Sequence, residues 1–68
     1  MSNVYKMTEL VGTSSKGFDE AAKEAIQRAS KTIRHLGWFE VVDQRGLIKE
    51  GQIVEFQVTL KVGFKLEE

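Results

Sequence analysis

The hydrophobic residues of this chain follow two different periodicities, and their order predicts its secondary structure. Residues 4–11 are rich in apolar side chains with imperfect alternation, which indicates a strand. Residues 12–17 form a predicted turn whose hydroxyl side chains are available to cap a helix. From Phe18 to Leu36 the apolar positions recur at about 3.6 residues, which predicts one helix that Gly37 ends in a left-handed conformation.

Two further strands are predicted beyond this helix. Residues 38–48 begin with β-branched and aromatic side chains, and Gly46 within them indicates a bulge or a close backbone approach. Residues 49–52 have the composition of a hairpin connection. Residues 54–66 alternate between apolar even-numbered and mostly polar odd-numbered positions, which is the clearest strand pattern in the chain.

The element order β-α-β-β predicts an α+β fold. A hairpin makes the third strand antiparallel to the second. Placing the third strand between the other two gives a three-stranded antiparallel sheet of order 1-3-2, with the helix packed on one face. A chain of 68 residues has room for a single domain, which we expect to span residues 1–68.

The two faces of this sheet differ in what can cover them. The apolar side of the third strand must face the helix, which sends Gln57 to the opposite face. In the second strand Phe39 and Val41 are the natural core pair, so Trp38 points away from the helix. We therefore expect Trp38 and Gln57 on a face that one chain cannot cover. Another subunit, a ligand or both must bury the tryptophan there.

Size and composition also indicate an assembly. The chain has no cysteine and one histidine, which excludes disulfides and Cys/His metal clusters as sources of stability. For a chain of 68 residues the free energy of burial and the conformational entropy of folding nearly cancel. Because 41% of the residues are apolar and 29% are charged, the composition is globular, and oligomerisation is the remaining source of stability.

Charge and segment composition restrict the partners and the location. Ten basic and ten acidic residues give a net charge of zero, so no overall field attracts nucleic acid or an anionic membrane. No apolar run reaches the roughly 20 residues of a membrane span, and the start of the chain has no apolar signal region. We expect a cytoplasmic protein without a metal, a membrane partner or a nucleic-acid partner.

The individual candidate residues also have simpler explanations. A tryptophan in a small domain is more often a packing residue than a ligand platform, and Gln57 alone fits an ordinary solvent-facing position. Arg45, beside Gly46, fits a phosphate contact and an inter-subunit ion pair equally well. From these residues alone, ligand binding and simple packing both stay open.

Several segments share their order and spacing with one family of small proteins. They are residues 9–14, 34–36, 38–41, 45–46 and 56–67. Over nearly its whole length the chain resembles the dodecins, which are small flavin-binding proteins. The resemblance implies a β-α-β-β subunit in a hollow dodecamer of cubic symmetry, with flavins stacked in pairs between symmetry-related tryptophans.

The resemblance also implies roles for individual residues. Trp38 corresponds to the stacking platform, and Gln57 corresponds to the group that hydrogen-bonds the polar edge of the isoalloxazine. Arg45 corresponds to a position close to the flavin site, from which it can assist the phosphate, with Lys6 as a weaker candidate, and this favours FMN over riboflavin. Some bacterial dodecins also bind coenzyme A, and the similar positions here are Arg28, Thr32, Arg34 and Lys65.

One of those positions departs from the family. An arginine is common where this chain has Lys65, and lysine keeps the charge but loses the planar, bidentate fork of arginine. The possible binding of coenzyme A is therefore less well supported than the binding of flavin.

The leading interpretation is a flavin storage protein without catalysis. An aromatic face and a carboxamide suit a flat, polarisable ring with an amide-like edge, whether FMN or riboflavin. A flavoenzyme is disfavoured, because the chain has no cysteine and His35 is distant from Trp38 in the predicted pattern. The alternatives are a single-stranded nucleic-acid platform and a purely structural oligomer.

Overall fold

The strands and the helix follow one another in the predicted order in the computed structural model, which describes residues 2–67. The elements are β1 (Tyr5–Ser14), α1 (Phe18–Ala29), β2 (Leu36–Lys49) and β3 (Gln52–Lys65). Both β1 and β2 pair antiparallel with β3, and the sheet order is β1-β3-β2. The predicted α+β fold and its sheet order are confirmed.

The helix ends about two turns earlier than the sequence pattern predicts. It stops at Ala29, so the predictions of a helix to Leu36 and of Gly37 as its stop are wrong. The Ser30 hydroxyl donates to the carbonyl three residues before it at 2.7 Å, which competes with continued helical bonding. The chain then turns into β2 at His35, whose φ of 66° lies in the left-handed region.

The helix begins at Gly17 without a side-chain cap, so the predicted hydroxyl cap is wrong. The Ser14 hydroxyl instead accepts a hydrogen bond from the Lys16 backbone N–H at 2.9 Å, inside the turn that precedes the helix. Within the helix, Arg28 Nε donates to a carboxylate oxygen of Glu24 at 3.0 Å. This pair, four residues apart, supports the helix from its exposed side.

The helix packs on β1 and β3 and leaves β2 largely uncovered. The buried core consists of Ala21, Ala25, Ala29, Val58, Leu60 and Val62. Phe39 and Val41 pair with Val62 and Leu60, so they lie on the helix side of the sheet. They are nevertheless 49% and 50% exposed, and the prediction that they form a core pair is wrong for the single chain. The single helix covers β1 and β3 and is too narrow to cover β2 as well.

Close packing of the helix on β1 depends on Gly12. A Cβ built there lies 2.1 Å from the carbonyl oxygen of Ala21 and 2.9 Å from the Cβ of Ala25. No side chain fits in that space, because a Cβ essentially never lies within 3.0 Å of a non-bonded heavy atom. The alanine stripe of the helix therefore rests directly on the backbone of β1.

The chain is flat and exposes more surface than a self-contained protein of its size. Its extents are 54 × 20 × 13 Å and its radius of gyration is 14.2 Å, against about 11 Å for a compact domain of equal length. Its accessible surface is 5221 Å², whereas surface scaling gives about 4,300 Å². This is the shape expected of a subunit whose uncovered strand meets another chain.

The β2–β3 hairpin has the predicted position. Its two central residues, Glu50 and Gly51, have φ values of 53° and 77°, as in a type I′ turn. Of the two alternatives predicted at Gly46, a bulge is not found there, because Gly46 stays in register with Phe56. The predicted close approach is present, since a Cβ at Gly46 lies 3.2 Å from the carbonyl oxygen of Glu55.

We expect Glu50→Asn to raise the free energy of unfolding by about 0.5–1 kcal/mol, because asparagine tolerates the left-handed conformation better than glutamate. Urea denaturation at one fixed protein concentration measures the change. Lys49→Asn is the control, since Lys49 lies in the strand and gains nothing from asparagine. Equal stabilisation by both substitutions contradicts this explanation.

Candidate functional site

The face of the sheet opposite the helix carries the candidate site. Directly paired residues share a face, and Trp38 pairs with Gly63 whereas Arg45 pairs with Gln57. We call this surface the open face. Its members are Tyr5, Met7, Glu9, Val11, Thr13, Trp38, Glu40, Asp43, Arg45, Leu47, Glu55, Gln57, Thr59, Lys61, Gly63 and Lys65.

A register shift in β2 brings Arg45 to the open face. Val41 pairs with Leu60 and Asp43 pairs with Thr59, so Val42 is an extra residue between them. Before the shift the odd-numbered residues of β2 lie on the helix side, and after it they lie on the open face. If this extra residue were absent, Arg45 would lie on the helix side of the sheet, on the opposite face from Trp38.

The indole of Trp38 lies across Gly63. A Cβ built on Gly63 lies 2.4 Å from Cζ2 of Trp38 and 2.5 Å from Cη2, so the ring occupies the place of the missing side chain. Tyr5 packs edge-on against the indole, with ring centroids 5.2 Å apart and planes at 64°. The indole N–H donates to a Glu40 carboxylate oxygen at 3.3 Å. The ring is fixed from below and from its side, and it is 41% exposed.

A polar cluster surrounds Gln57 at the other end of the open face. Arg45 Nε donates to Gln57 Oε1 at 2.9 Å, and Gln57 Nε2 donates to a Glu55 carboxylate oxygen at 2.9 Å. Arg45 Nη1 also donates to Asp43 at 3.2 Å and to the hydroxyl of Thr59 at 3.1 Å. Arg45 thus forms an ion pair within its own chain, and its Nη2 makes no hydrogen bond within residues 2–67.

Trp38 and Gln57 share the open face but are far apart on it. Trp38 lies opposite Gly63, six residues along β3 from Gln57. Six residues of a strand span about 20 Å. One chain therefore cannot place both side chains on the same small planar molecule. A site that uses both must take them from two copies of the chain.

Lys6 lies on the other side of the sheet from these groups. It pairs with Phe64 and so belongs to the helix side of β1. Within one chain the structure does not bring Lys6 together with Trp38 or Arg45.

The residues predicted for coenzyme A are divided between two cavities. A cavity of about 350 Å³, beside the end of β3, is lined by Thr32, Arg34 and Lys65. Arg28 lines a separate cavity of about 580 Å³ between the helix and β1. Nη2 of Arg34 is in addition 3.6 Å from a carboxylate oxygen of Glu67, and this ion pair partly neutralises the charge of Arg34. Binding of coenzyme A stays a prediction.

Residues 2–67 contain no helix that is long and apolar enough to cross a membrane. The helix has 12 residues, against the roughly 20 needed to span a bilayer. In the same part of the chain, no group of three or more His, Cys, Asp or Glu side chains is placed to hold a metal ion.

Several residues of the site, Gly63 and Glu55 among them, were not identified as site residues from the sequence pattern. Gly63 and Glu55 both fall among the odd-numbered positions of β3, so their face was predictable. Their partners depend on the register between β2 and β3, which the pattern of one strand does not specify.

The fold and the open face together define a class of small β-α-β-β protein, with one sheet face covered by a helix and the other uncovered within the chain. The dodecin family model matches residues 4–67 of this chain. The chain belongs to the dodecin family.

Individual relatives agree with this assignment. The dodecin of Thermus thermophilus is 56% identical over 68 residues, covering 100% of this chain and 99% of that protein. The solved dodecin of Streptomyces davaonensis superposes with a TM-score of 0.96 at 50% identity, with 100% of both chains covered. The calcium dodecin of Mycobacterium tuberculosis is 30% identical over 64 residues, covering 94% of this chain and 90% of that protein.

Proposed function

We propose that this protein is a non-catalytic, cytoplasmic flavin store, which stacks FMN in pairs between the tryptophans of neighbouring subunits in a dodecamer. The observation that carries the proposal is the indole of Trp38, which is held against Gly63 with its outer face free. A flat aromatic ring binds such a face by offset stacking. Where a symmetry axis passes beside the ring, it places the tryptophan of a second subunit opposite the first. The two indoles then enclose planar ligands between them.

The polar end of the site supports a flavin as the ligand. A carboxamide offers a donor and an acceptor side by side, and the pyrimidine edge of isoalloxazine carries the complementary groups. Gln57 presents such a group on the open face, fixed by its neighbours in the polar cluster. In the hydrogen bonds of residues 2–67, Arg45 uses Nε and Nη1, so Nη2 is the group offered to a phosphate. This favours FMN over riboflavin.

The separation of Trp38 and Gln57 supports an assembled site. Because about 20 Å of strand lies between them, the platform and the carboxamide that meet one flavin belong to different subunits. The half-exposed Phe39 and Val41 supply an apolar surface for the association. Site formation and assembly are therefore coupled.

The same arrangement supports storage rather than catalysis. A bound flavin supplies a light-absorbing, redox-active ring. When indoles cover the outer faces of a flavin pair, no ring face is left for a substrate to approach. Electron donation from the stacked indole quenches the excited ring, which limits photochemical damage while the cofactor is held.

A fluorescence titration of FMN tests this function. We expect micromolar protein to quench flavin emission, and Trp38→Ala to weaken FMN binding by about 10- to 100-fold, since one base-sized stacking contact contributes about 1–3 kcal/mol. Trp38→Phe is the matched control, because it keeps an aromatic face and should retain part of the binding. Native mass spectrometry of each protein reports subunit number and ligand mass together. Undiminished quenching by Trp38→Ala, or an assembly other than twelve subunits, contradicts the proposal.

A further inference from the structure

The carboxamide of Gln57 is held in one orientation by two neighbours of opposite character. Arg45 can only donate hydrogen bonds, and it meets the carboxamide oxygen at 2.9 Å. The carboxylate of Glu55 can only accept, and it meets the carboxamide nitrogen at 2.9 Å. Turning the carboxamide over sets nitrogen against the guanidinium and oxygen against the carboxylate. Both contacts then become repulsive, so the orientation of Gln57 is specified from two sides.

The two contacts occupy half of the hydrogen-bonding groups of the Gln57 carboxamide. A carboxamide has two N–H donors and two acceptor lone pairs. One N–H goes to Glu55 and one lone pair to Arg45, so one donor and one acceptor remain. The order in which they stand is set by the neighbours and is the same in every subunit.

The carboxylate of Glu55 divides its contacts among fewer groups than the guanidinium of Arg45 does. The guanidinium of Arg45 is shared among Gln57, Asp43 and Thr59, so its hold on the carboxamide is divided. Glu55 stands on the same strand and face as Gln57, two residues away. Its carboxylate keeps the carboxamide in place even when Arg45 is drawn toward a ligand anion.

We propose that Glu55 is a positioning residue, which fixes the order of donor and acceptor on Gln57 and so selects planar ligands with a cyclic imide edge. This inference rests on the proposed flavin function and names the feature of the ring that the site reads. The free N–H of Gln57 donates to an imide carbonyl, and the free lone pair accepts from the imide N–H. A ring whose imide nitrogen is methylated loses the second bond and clashes with the carboxamide oxygen.

Lumiflavin and its N3-methyl derivative are suitable probes, because both lack the ribityl phosphate and report ring contacts alone. We expect the native protein to bind lumiflavin about tenfold more tightly than the N3-methyl form, as one lost hydrogen bond implies. Glu55→Gln keeps the size of the side chain but can donate as well as accept, so it no longer specifies the orientation. In Glu55→Gln and Glu55→Ala only the shared guanidinium of Arg45 still orients the carboxamide, so we expect the preference to fall to about threefold.

Glu9→Gln is the matched control, because it removes the same charge from the open face on a different strand. It should leave the tenfold preference unchanged. Nuclear magnetic resonance of the unliganded proteins gives a second measurement. The Gln57 carboxamide protons should give two separate, slowly exchanging signals in the native protein, and broadened, faster exchanging signals in both Glu55 variants.

The two proposals fail in different ways. If the native protein binds neither lumiflavin nor FMN, the flavin function is wrong and this inference falls with it. If the native protein prefers lumiflavin and both Glu55 variants keep that preference, only the role of Glu55 is wrong. Unchanged carboxamide signals in those variants lead to the same conclusion without any ligand.

Discussion

Gly63→Val is expected to weaken FMN binding by about 100-fold or more while the sheet still forms. The nearest indole carbon lies 2.4 Å from the place of a Cβ at this position, and non-bonded carbons need about 3.5–4.0 Å. The indole of Trp38 must therefore lift off the sheet by more than an ångström. The displaced ring loses its edge contact with Tyr5 and enters the space proposed for the flavin.

The same titration of FMN fluorescence measures this loss, and circular dichroism follows the sheet. Gly37→Ala is a close control, because a Cβ there meets its nearest neighbour, the carbonyl oxygen of Gly63, at an ordinary 3.6 Å. It should bind FMN nearly as well as the native protein. If Gly63→Val binds FMN with native affinity, Gly63 is not needed as the surface on which the indole of Trp38 packs.

Gly12→Ala is expected to lower the free energy of unfolding by about 3 kcal/mol, at the upper end of overpacking effects. The added methyl meets a backbone carbonyl oxygen of the helix, Ala21, at 2.1 Å, and backbone cannot rotate out of the way as a side chain does. The helix must move away from β1 and open the core above Leu60. A domain of this length has a total stability of roughly 3–10 kcal/mol, so this loss is about a third or more of the total.

Urea denaturation at several protein concentrations measures the change, because the stability of an assembling subunit depends on concentration. Gly17→Ala is the control. A Cβ built on Gly17 has a carboxylate oxygen of Asp19 as its nearest neighbour, at 3.0 Å, and that oxygen is the movable end of a side chain. The φ of Gly17 is 168°, which suits any residue. Equal losses in the two variants contradict the explanation from helix packing.

The elements of the fold could be read from the sequence because each has a strong local pattern. The alternation along β3 specified a strand, its buried side and its central place in the sheet. The end of the helix could not be read in this way. Ile33 and Leu36 continue the apolar stripe, although the backbone has already left the helix after Ala29. Hydrophobic spacing reports which side chains are apolar, whereas helix termination depends on hydrogen bonds by Ser30 and on the left-handed His35.

The candidate site was only partly predictable, for a related reason. Strand alternation predicted that Trp38 and Gln57 share a face, and pairing with β3 places them so. The same alternation, continued past Val42, puts Arg45 on the wrong face, because no local signal in the sequence marks the extra residue. The contact of Trp38 with Gly63 is likewise a matter of register between distant segments.

The strand order has a consequence for how this protein is made. Both β1 and β2 hydrogen-bond to β3, which is the last of the three to be synthesised. The emerging chain therefore has a helix and two unpaired strands, with Tyr5 waiting for a partner near Lys65. When β3 emerges, its hairpin with β2 closes over a short distance, whereas its pairing with β1 closes almost the whole chain. The sheet therefore forms only after its central strand has been translated, and until then the edges of β1 and β2 are unpaired.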